Sequence, residues 1–201
     1  MPPADSPSSV DALILEGIVV SLDAAGKANI APMGPLVDRE ITTLVLRPYQ
    51  SSQTYRNLKQ TGRGVFHVID DVELLARAAV GFLDSPPPLT GITDFPCPRL
   101  ADCCRWFAFE VETLDDVSER TTITCRVWRR GTVRDFFGFN RAKHAVLEAA
   151  ILATRIGILP NDEIRAELER LATPVAKTAG DQERRAFEFL RTYIEQRSPT
   201  L

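Results

Sequence analysis

A short polar segment after a strand-like run holds the residue types that bind phosphate. Arg47 follows the apolar residues 41–46, and Ser51, Ser52 and Thr54 come soon after it. If a helix begins at Ser52, its unpaired backbone N–H groups lie beside these hydroxyls and this guanidinium. Such a group of donors binds a phosphate without a glycine-rich loop, because the helix end and the arginine are both electropositive. The alternative is an ordinary helix cap at Ser52 next to a solvated arginine.

A second segment with unusual backbone chemistry lies upstream, at residues 29–35 (NIAPMGP). Pro32 removes a backbone donor from what is otherwise a strand, and Gly34 allows another group to approach the main chain closely. Ala31 and Met33 lie on either side of Pro32. The segment is therefore either an irregular edge strand or a stretch of backbone that faces a bound group.

The rest of the sequence excludes several kinds of catalytic site. It has no glycine-rich dinucleotide motif, no P-loop and no G-x-S-x-G nucleophile motif. His67 and His144 are the only histidines, and neither lies in a metal-binding motif, so we expect no metal site. The cysteines form no C-x-x-C pair, and we expect reduced thiols that are buried or half-buried at Cys97, Cys103, Cys104 and Cys125. These residue types assign no catalytic group.

Composition and charge limit the possible partners. The chain has 201 residues, with 24 basic and 27 acidic side chains and a net charge of −3. This balance argues against a nucleic-acid binder. No apolar run approaches the roughly 20 residues of a membrane-spanning helix, so we expect no membrane partner. The first residues lack the charged and apolar regions of a secretion signal. We therefore expect a cytoplasmic protein with a flexible tail at residues 1–12.

Apolar segments of period two dominate the first two thirds of the chain and predict about seven strands. We place the strands at residues 13–20, 28–33, 41–46, 64–69, 107–111, 122–128 and 132–137. Gly131 is interpreted as the turn between the last two strands. The prolines at positions 86–88, 96 and 98 indicate a long loop.

Two predicted helices lie between these strands, and further helices are predicted after the last strand. One helix is expected from Ser52 to Gly62, and another over residues 72–82 behind a capping box of Asp70 and Glu73.

After residue 139 three further helices are expected. Asn140 can cap the first, which ends at Gly157. The second begins at Asn161 and ends at Pro174, and the third begins at Asp181. The pattern predicts an α+β fold, mainly β, in which a barrel carries a small C-terminal three-helix extension.

The order of several short motifs resembles one known family. The motifs lie at residues 15–19 (LEGIV), 29–34 (NIAPMG), 46–49 (LRPY), 54–58 (TYRNL), 61–62 (TG), 139–141 (FNR), 145–149 (AVLEA) and 153–155 (ATR). Over residues 13–157 the chain resembles an uncharacterised family, domain of unknown function 447. That family lies within the FMN-binding split-barrel superfamily, which also contains flavin reductases and pyridoxamine-phosphate oxidases.

The resemblance implies a fold, a cofactor and an assembly. It implies a Greek-key split barrel over residues 13–139 that binds FMN, and a helical extension over residues 140–201. It also implies a homodimer with FMN near the subunit interface. Carried over to this chain, the FMN-binding residues are Ala31, Pro32, Met33 and Gly34 beside the isoalloxazine ring, and Arg47, Ser51, Ser52 and Thr54 at the phosphate.

Two further positions follow from the same resemblance. Asn140 belongs to the matching motif and is carried over as a cofactor-binding residue, although it can equally be only a helix cap. His67 departs from the pattern, because related barrels often have asparagine there. We expect His67 to be a strand histidine with satisfied hydrogen bonds and not a general acid.

The function that the resemblance implies is that of a flavoprotein oxidoreductase with a small-molecule substrate. Its electron donor would be a reduced nicotinamide or deazaflavin-type molecule, and its setting one-carbon or pterin metabolism. One alternative is a flavin carrier or sensor without turnover, since no acid or base is evident at the site. The other is a flavin-free interaction module that uses the helices as a docking surface.

Overall fold

The computed structural model describes residues 13–197, so the predicted tail at residues 1–12 lies outside the described residues. Its strands are β1 (Leu13–Ile14), β2 (Gly17–Leu22), β3 (Ala28–Met33), β4 (Leu36–Val37), β5 (Thr43–Leu46), β6 (Arg63–Val68), β7 (Leu89–Ile92), β8 (Phe95–Leu100), β9 (Arg105–Asp115) and β10 (Thr122–Thr132). Its helices are α1 (Gln53–Thr61), α2 (Val72–Ala79), α3 (Arg141–Ala153), α4 (Asn161–Thr178) and α5 (Asp181–Arg197).

Eight strands form one antiparallel sheet that curls into a half-barrel. Their order is β1-β4-β5-β10-β9-β6-β2-β3, so β1 and β3 are the edge strands. The segments that follow the two edge strands are hydrogen-bonded to each other. The N–H of Leu15, which follows β1, donates to the carbonyl of Pro35, which follows β3, at 3.1 Å. The predicted mainly-β fold with three C-terminal helices is confirmed.

The interior of the half-barrel is filled by side chains that alternate along the strands. Phe66 on β6 and Phe109 on β9 are fully buried, as are Leu44 and Leu46 on β5 and Ile123 on β10. Each such side chain contributes about 1.5–3 kcal/mol by leaving water. The period-two pattern in the sequence therefore arises because every second side chain of a strand faces this core.

The described residues form two compact units. The barrel unit comprises the described residues up to Ile69 together with Pro87–Asp135. The helical unit comprises Asp70–Pro86 and the described residues from Phe136 onward, so α2 belongs with α3, α4 and α5. The helical unit has its own buried side chains, among them Leu75, Val146, Ile164, Leu190 and Ile194. No helix within residues 13–197 is long and apolar enough to cross a membrane.

Three predictions about the strands are wrong. The predicted strand over residues 13–20 is two strands, because the chain leaves the ladder between β1 and β2. The expected proline-rich loop contains the β7–β8 hairpin, which closes through Asp94 in a left-handed conformation (φ 59°). Gly131 is not a turn but part of β10, and residues 133–137 form no strand. A Cβ at Gly131 would lie 2.7 Å from the Trp106 ring, so a glycine serves close packing there.

Four predictions about helix ends are also wrong. Asp71, not Asp70, caps α2 by accepting from the N–H of Leu74, and α2 ends at Ala79. Helix α3 ends at Ala153, before Gly157.

Helix α4 continues through Pro174 to Thr178. Its buried face extends past the proline to Val175, and burial of this side chain favours continuation of the helix.

Candidate functional site

The start of helix α1 is built as the sequence predicts. The hydroxyl of Ser52 accepts from the N–H of Tyr55 at 3.2 Å, and the backbone of Ser52 is extended. The first turn contains no acidic residue, so no side chain there neutralises the positive end of the helix. At the other end Gly62 adopts a left-handed conformation (φ 67°), and its N–H reaches the carbonyl of Leu58. The predicted helix from Ser52 to Gly62 is confirmed.

Arg47 directly follows β5, and its side chain is incompletely hydrogen-bonded. Its Nε is buried and has no hydrogen-bond partner among the described residues. A buried donor without an acceptor costs about 1–3 kcal/mol, and more when it is charged. A phosphate oxygen would satisfy it, and a guanidinium is the side chain best matched to that geometry. The residue present therefore fits an anionic group at this position.

Thr54 lies in the first turn of α1 and is 2% exposed. Its Oγ1 accepts a hydrogen bond of 3.1 Å from Nδ2 of Asn29 on β3. This bond joins the two segments that the sequence singled out, residues 29–35 and residues 47–54. In the same region Ser51 is exposed and Ser52 is half-buried, so both hydroxyls can reach a ligand at the helix start.

The loop between β5 and α1 is held by the turn between β9 and β10. The carbonyl of Pro48 accepts from both the N–H and the hydroxyl of Thr121, at 2.9 and 2.8 Å. The N–H of Gln50 donates to the carbonyl of Glu119 at 2.8 Å, and its Nε2 donates to the carbonyl of Asp116 at 2.7 Å. These bonds fix the backbone that carries Arg47 and Ser51.

The same turn is tied to the side of helix α1. The carboxylate of Asp116 accepts from the hydroxyl of Tyr55 at 2.6 Å and pairs with Lys59 at 2.7 Å. The Lys59 hydrogen bond, followed by that of Tyr55, lowers the pKa of Asp116. The carboxylate is therefore ionised at neutral pH and acts as an acceptor that locks the turn to the helix.

The segment at residues 31–34 belongs to the edge of the sheet. Pro32 lies opposite Ile18 in the β2–β3 ladder, and β3 has no neighbour on its other side among the described strands. Proline is tolerated there because an edge strand can lose one donor. The flanking residues Ala31 and Met33 pair regularly with β2.

Gly34 lies against side chains of the same chain. A Cβ on Gly34 would lie 2.8 Å from a carboxylate oxygen of Glu16 and 2.9 Å from Ile14. The close approach that the glycine permits is therefore made by the chain's own β1–β2 connection. A role for residues 31–34 beside a flavin ring stays a prediction.

Asn140 lies in the helical unit and caps α3. Its Oδ1 accepts from the N–H groups of Ala142 and Lys143, and its Nδ2 donates to the carbonyl of Thr178 at 3.0 Å. The side chain is thus engaged on both its donor and acceptor sides. The predicted cap is confirmed, while a contact of Asn140 with FMN stays a prediction.

His67 is fully buried on β6 and has two hydrogen-bond partners. The N–H of Leu100 donates to Nε2 at 3.0 Å, so the ring proton lies on Nδ1, which faces the carbonyl of Ile18 at 3.1 Å. Burial lowers the pKa of His67 to about 4. The residue is neutral at physiological pH, and the expectation of a satisfied strand histidine is confirmed.

The cysteines are also structural. All four are free and buried. Burial raises the pKa of Cys97 to about 12 and that of Cys103 to about 11, and it raises the pKa of Cys125 further. The expectation of reduced thiols that are buried or half-buried is confirmed, and Cys97, Cys103 and Cys125 are protonated at neutral pH. Within residues 13–197 no group of three His, Cys, Asp or Glu side chains is placed to hold a metal ion.

The sequence matches two family models. The N-terminal domain model of DUF447, a protein family of unknown function, matches residues 15–134, and the second DUF447 model matches residues 140–192. The chain belongs to the DUF447 family. Among curated proteins none matches the sequence.

Solved structures confirm the split-barrel fold of this DUF447 chain. An FMN-bound DUF447 protein from Methanosarcina mazei is 22% identical with a TM-score of 0.77, over 90% of this chain and 94% of that one. The 2-nitrobenzoate 2-nitroreductase of Pseudomonas fluorescens is 18% identical with a TM-score of 0.51, over 60% and 65%. A protein with a split barrel domain from Shewanella frigidimarina is 10% identical with a TM-score of 0.50, over 60% and 67%.

Sequence reasoning missed three residues that shape the site. Thr121 and Asp116 hold the loop and helix that carry the phosphate-type donors, and Asn29 orients the hydroxyl of Thr54. Thr121 and Asp116 lie more than fifty residues from the groups they contact, and no local signal marks them. Asn29 was visible as part of a DUF447 motif, but its partner was not.

Proposed function

We propose that this chain is an FMN-binding flavoprotein that acts as an oxidoreductase on a small molecule. The observation that carries the proposal is the buried, unpartnered Nε of Arg47, five residues before the cap of α1. A phosphate at this position would satisfy the guanidinium and the exposed N–H groups of the helix start together. The DUF447 relative from Methanosarcina mazei is described as FMN-bound, which supports the choice of phosphate-bearing molecule.

The geometry suggests a role for each residue. Arg47 supplies charge, and Ser51 and Ser52 supply hydroxyl donors. Asn29 donates into Oγ1 of Thr54, so the proton of that hydroxyl is free to point at a phosphate oxygen. Residues 31–34 would offer backbone groups to the polar edge of the ring. FMN supplies the hydride and electron chemistry when bound, so the protein needs only to position it and exclude competing reactions.

We further propose a homodimer in which FMN lies near the subunit interface. Edge strand β1 exposes two apolar side chains, Leu13 at 66% and Ile14 at 48%, which a partner could cover. The dimer would elute at twice the 22.3 kDa of one chain in light-scattering chromatography. A mass of one chain at every concentration would contradict this part of the proposal. We also propose that the protein is cytoplasmic and acts in one-carbon or pterin metabolism.

The first experiment is a visible absorption spectrum of the purified protein before and after addition of FMN. We expect flavin bands at about one FMN per subunit. Arg47→Ala should then weaken FMN binding by about tenfold or more. Arg126→Ala is the matched control, because Arg126 lies in the same unit but pairs with Glu112. If FMN does not bind to the wild-type chain, the proposed cofactor is wrong, and the flavin-free interaction module is the remaining alternative.

A second candidate function is a flavin carrier or sensor without turnover. It is favoured by His67, whose ring is buried, neutral and engaged at both nitrogens. His67 therefore cannot serve as a proton donor at the site. Steady oxidation of NADH or NADPH by the FMN-loaded protein, at a rate above that of free FMN, would exclude this candidate. Stoichiometric binding without turnover by any reduced nicotinamide or deazaflavin would favour it.

A further inference from the structure

A cleft of about 330 Å³ opens beside the turn between β4 and β5 in the barrel unit. It lies before β5, whereas Arg47 lies after β5 at the opposite end of that strand. Three arginines, one carboxylate and two apolar side chains line it, together with Gly131 and Thr132: Arg39, Arg105, Arg130, Glu40, Ile41 and Phe107. The proposed FMN contacts do not involve any of them.

The three arginines are not neutralised. Among residues 13–197, none of their guanidinium groups forms an ion pair with a carboxylate. Arg105 lies over the ring of Phe107, 5.6 Å from its centroid, and Arg130 donates to the backbone carbonyl of Glu40 at 2.6 Å. Three positive charges against the single charge of Glu40 leave an excess that attracts an anion.

The turn that presents Arg39 and Glu40 is held in a strained conformation. Ile41 has φ 51°, which is rare for a β-branched residue. The carboxylate of Asp38 maintains it by accepting from the N–H groups of Thr42 and Thr43, at 2.8 and 3.1 Å. Strain of this kind persists only where the surroundings fix it, and it is concentrated at binding sites. The turn is therefore a rigid support for the side chains around the cleft.

We propose that this cleft binds a small oxyanion, the phosphate or carboxylate group of a metabolite. Arg39 and Arg105 contact the anion, while Arg130 keeps the turn in place through the carbonyl of Glu40. The guanidinium fork suits the paired oxygens of either group. The volume lies at the small end of ligand pockets, which suits a molecule of few heavy atoms.

The test follows backbone amide resonances of the full-length chain by NMR during titration with inorganic phosphate, and separately with succinate. Sodium chloride at matched ionic strength is the control. We expect saturable shifts of the Ile41 and Gly131 amides with at least one of the two anions. The amides of Gln53 and Thr54 report the start of α1 separately, so phosphate bound there is not mistaken for phosphate in the cleft. The anion that binds with the higher affinity shows whether the cleft prefers a phosphate or a carboxylate group.

Two variants and a control assign the effect. Arg39→Gln and Arg105→Gln should each lower the affinity for the anion, measured at the Ile41 amide, by about tenfold. The titration response of the Gln53 amide should stay unchanged. Arg63→Gln removes the same charge from a surface arginine that pairs with Glu110, and it should change nothing. The proposal is overturned if the shifts do not saturate, if sodium chloride reproduces them, or if Arg63→Gln weakens them equally. None of these results bears on FMN binding.

Discussion

The Nδ2 of Asn29 donates a hydrogen bond to Oγ1 of Thr54 at 3.1 Å and so joins edge strand β3 to the first turn of α1. Because the bond fills an acceptor site of the hydroxyl, the hydroxyl proton remains available to a ligand. The bond also brings together the two segments that contain these residues, which are 25 positions apart in sequence. A ligand that spans a phosphate group and a planar ring would contact both segments.

Thr54→Val removes the hydroxyl and keeps the shape of the side chain. We expect FMN affinity to fall by about tenfold, because both the phosphate donor and the bond to Asn29 are lost. Thr54→Ser is the matched variant and should retain most of the affinity. Titration of FMN fluorescence against each variant measures the effect. Equal affinities for the valine and serine variants would show that the hydroxyl does not contact the cofactor.

Arg47→Leu should separate ligand binding from stability. The buried Nε of Arg47 has no internal partner, so its loss removes an unsatisfied group as well as a charge. We expect FMN binding to weaken, while the free energy of unfolding of the FMN-free protein stays equal or rises by up to about 1 kcal/mol. Urea unfolding without FMN measures this. A loss of stability in the FMN-free variant would contradict the reading of Arg47 as a ligand-binding residue.

The sequence predicted those parts of the fold that local chemistry decides. Ser52 and Asn140 cap their helices as expected, and Gly62 ends α1, because caps depend on a few adjacent residues. The core strands follow from the alternation of apolar residues. The segment of the candidate site from Arg47 to Thr54 was likewise visible, since its residue types are contiguous.

The errors arise where distant contacts override local signals. Gly131 resembles a turn, but it pairs with Trp106 in the β9–β10 ladder, and the Trp106 ring leaves no room there for a side chain. Pro174 resembles a helix end, but the burial of Val175 carries α4 past it. Thr121 and Asp116, which hold the site in place, are set by the pairing of β9 and β10, and single-sequence patterns do not contain that information.

The thiols provide a simple test of the barrel core. Cys103 and Cys104 are adjacent in sequence and fully buried, and burial raises the pKa of Cys103 to about 11. We expect the native protein not to react with Ellman's reagent near neutral pH, and all four cysteines to react after denaturation. Rapid labelling of the native protein would show that the core opens. Reaction coupled to flavin reduction would show instead that the vicinal pair is redox-active.

The buried ring of His67 should make the barrel unit sensitive to acid. Its pKa is lowered to about 4 in the folded state, against 6.5 for an ordinary histidine. Between these values the unfolded chain binds a proton that the folded chain does not, so stability decreases as the pH falls from about 6.5 to about 4. The loss from this residue amounts to about 3 kcal/mol over that range.

Urea unfolding at several pH values between 7 and 4 measures this contribution. Tryptophan fluorescence is the suitable probe, because Trp106 and Trp128 both lie in the barrel unit. His67→Gln should be less stable than the wild type at pH 7, since the imidazole fills a fully buried site and meets both the Ile18 carbonyl and the Leu100 N–H. Its stability should nevertheless depend less on pH, because the titrating group is gone. His144→Gln changes an exposed histidine and should keep the wild-type slope. If the His67 variant kept the wild-type slope as well, the acid sensitivity of the barrel would arise from other groups.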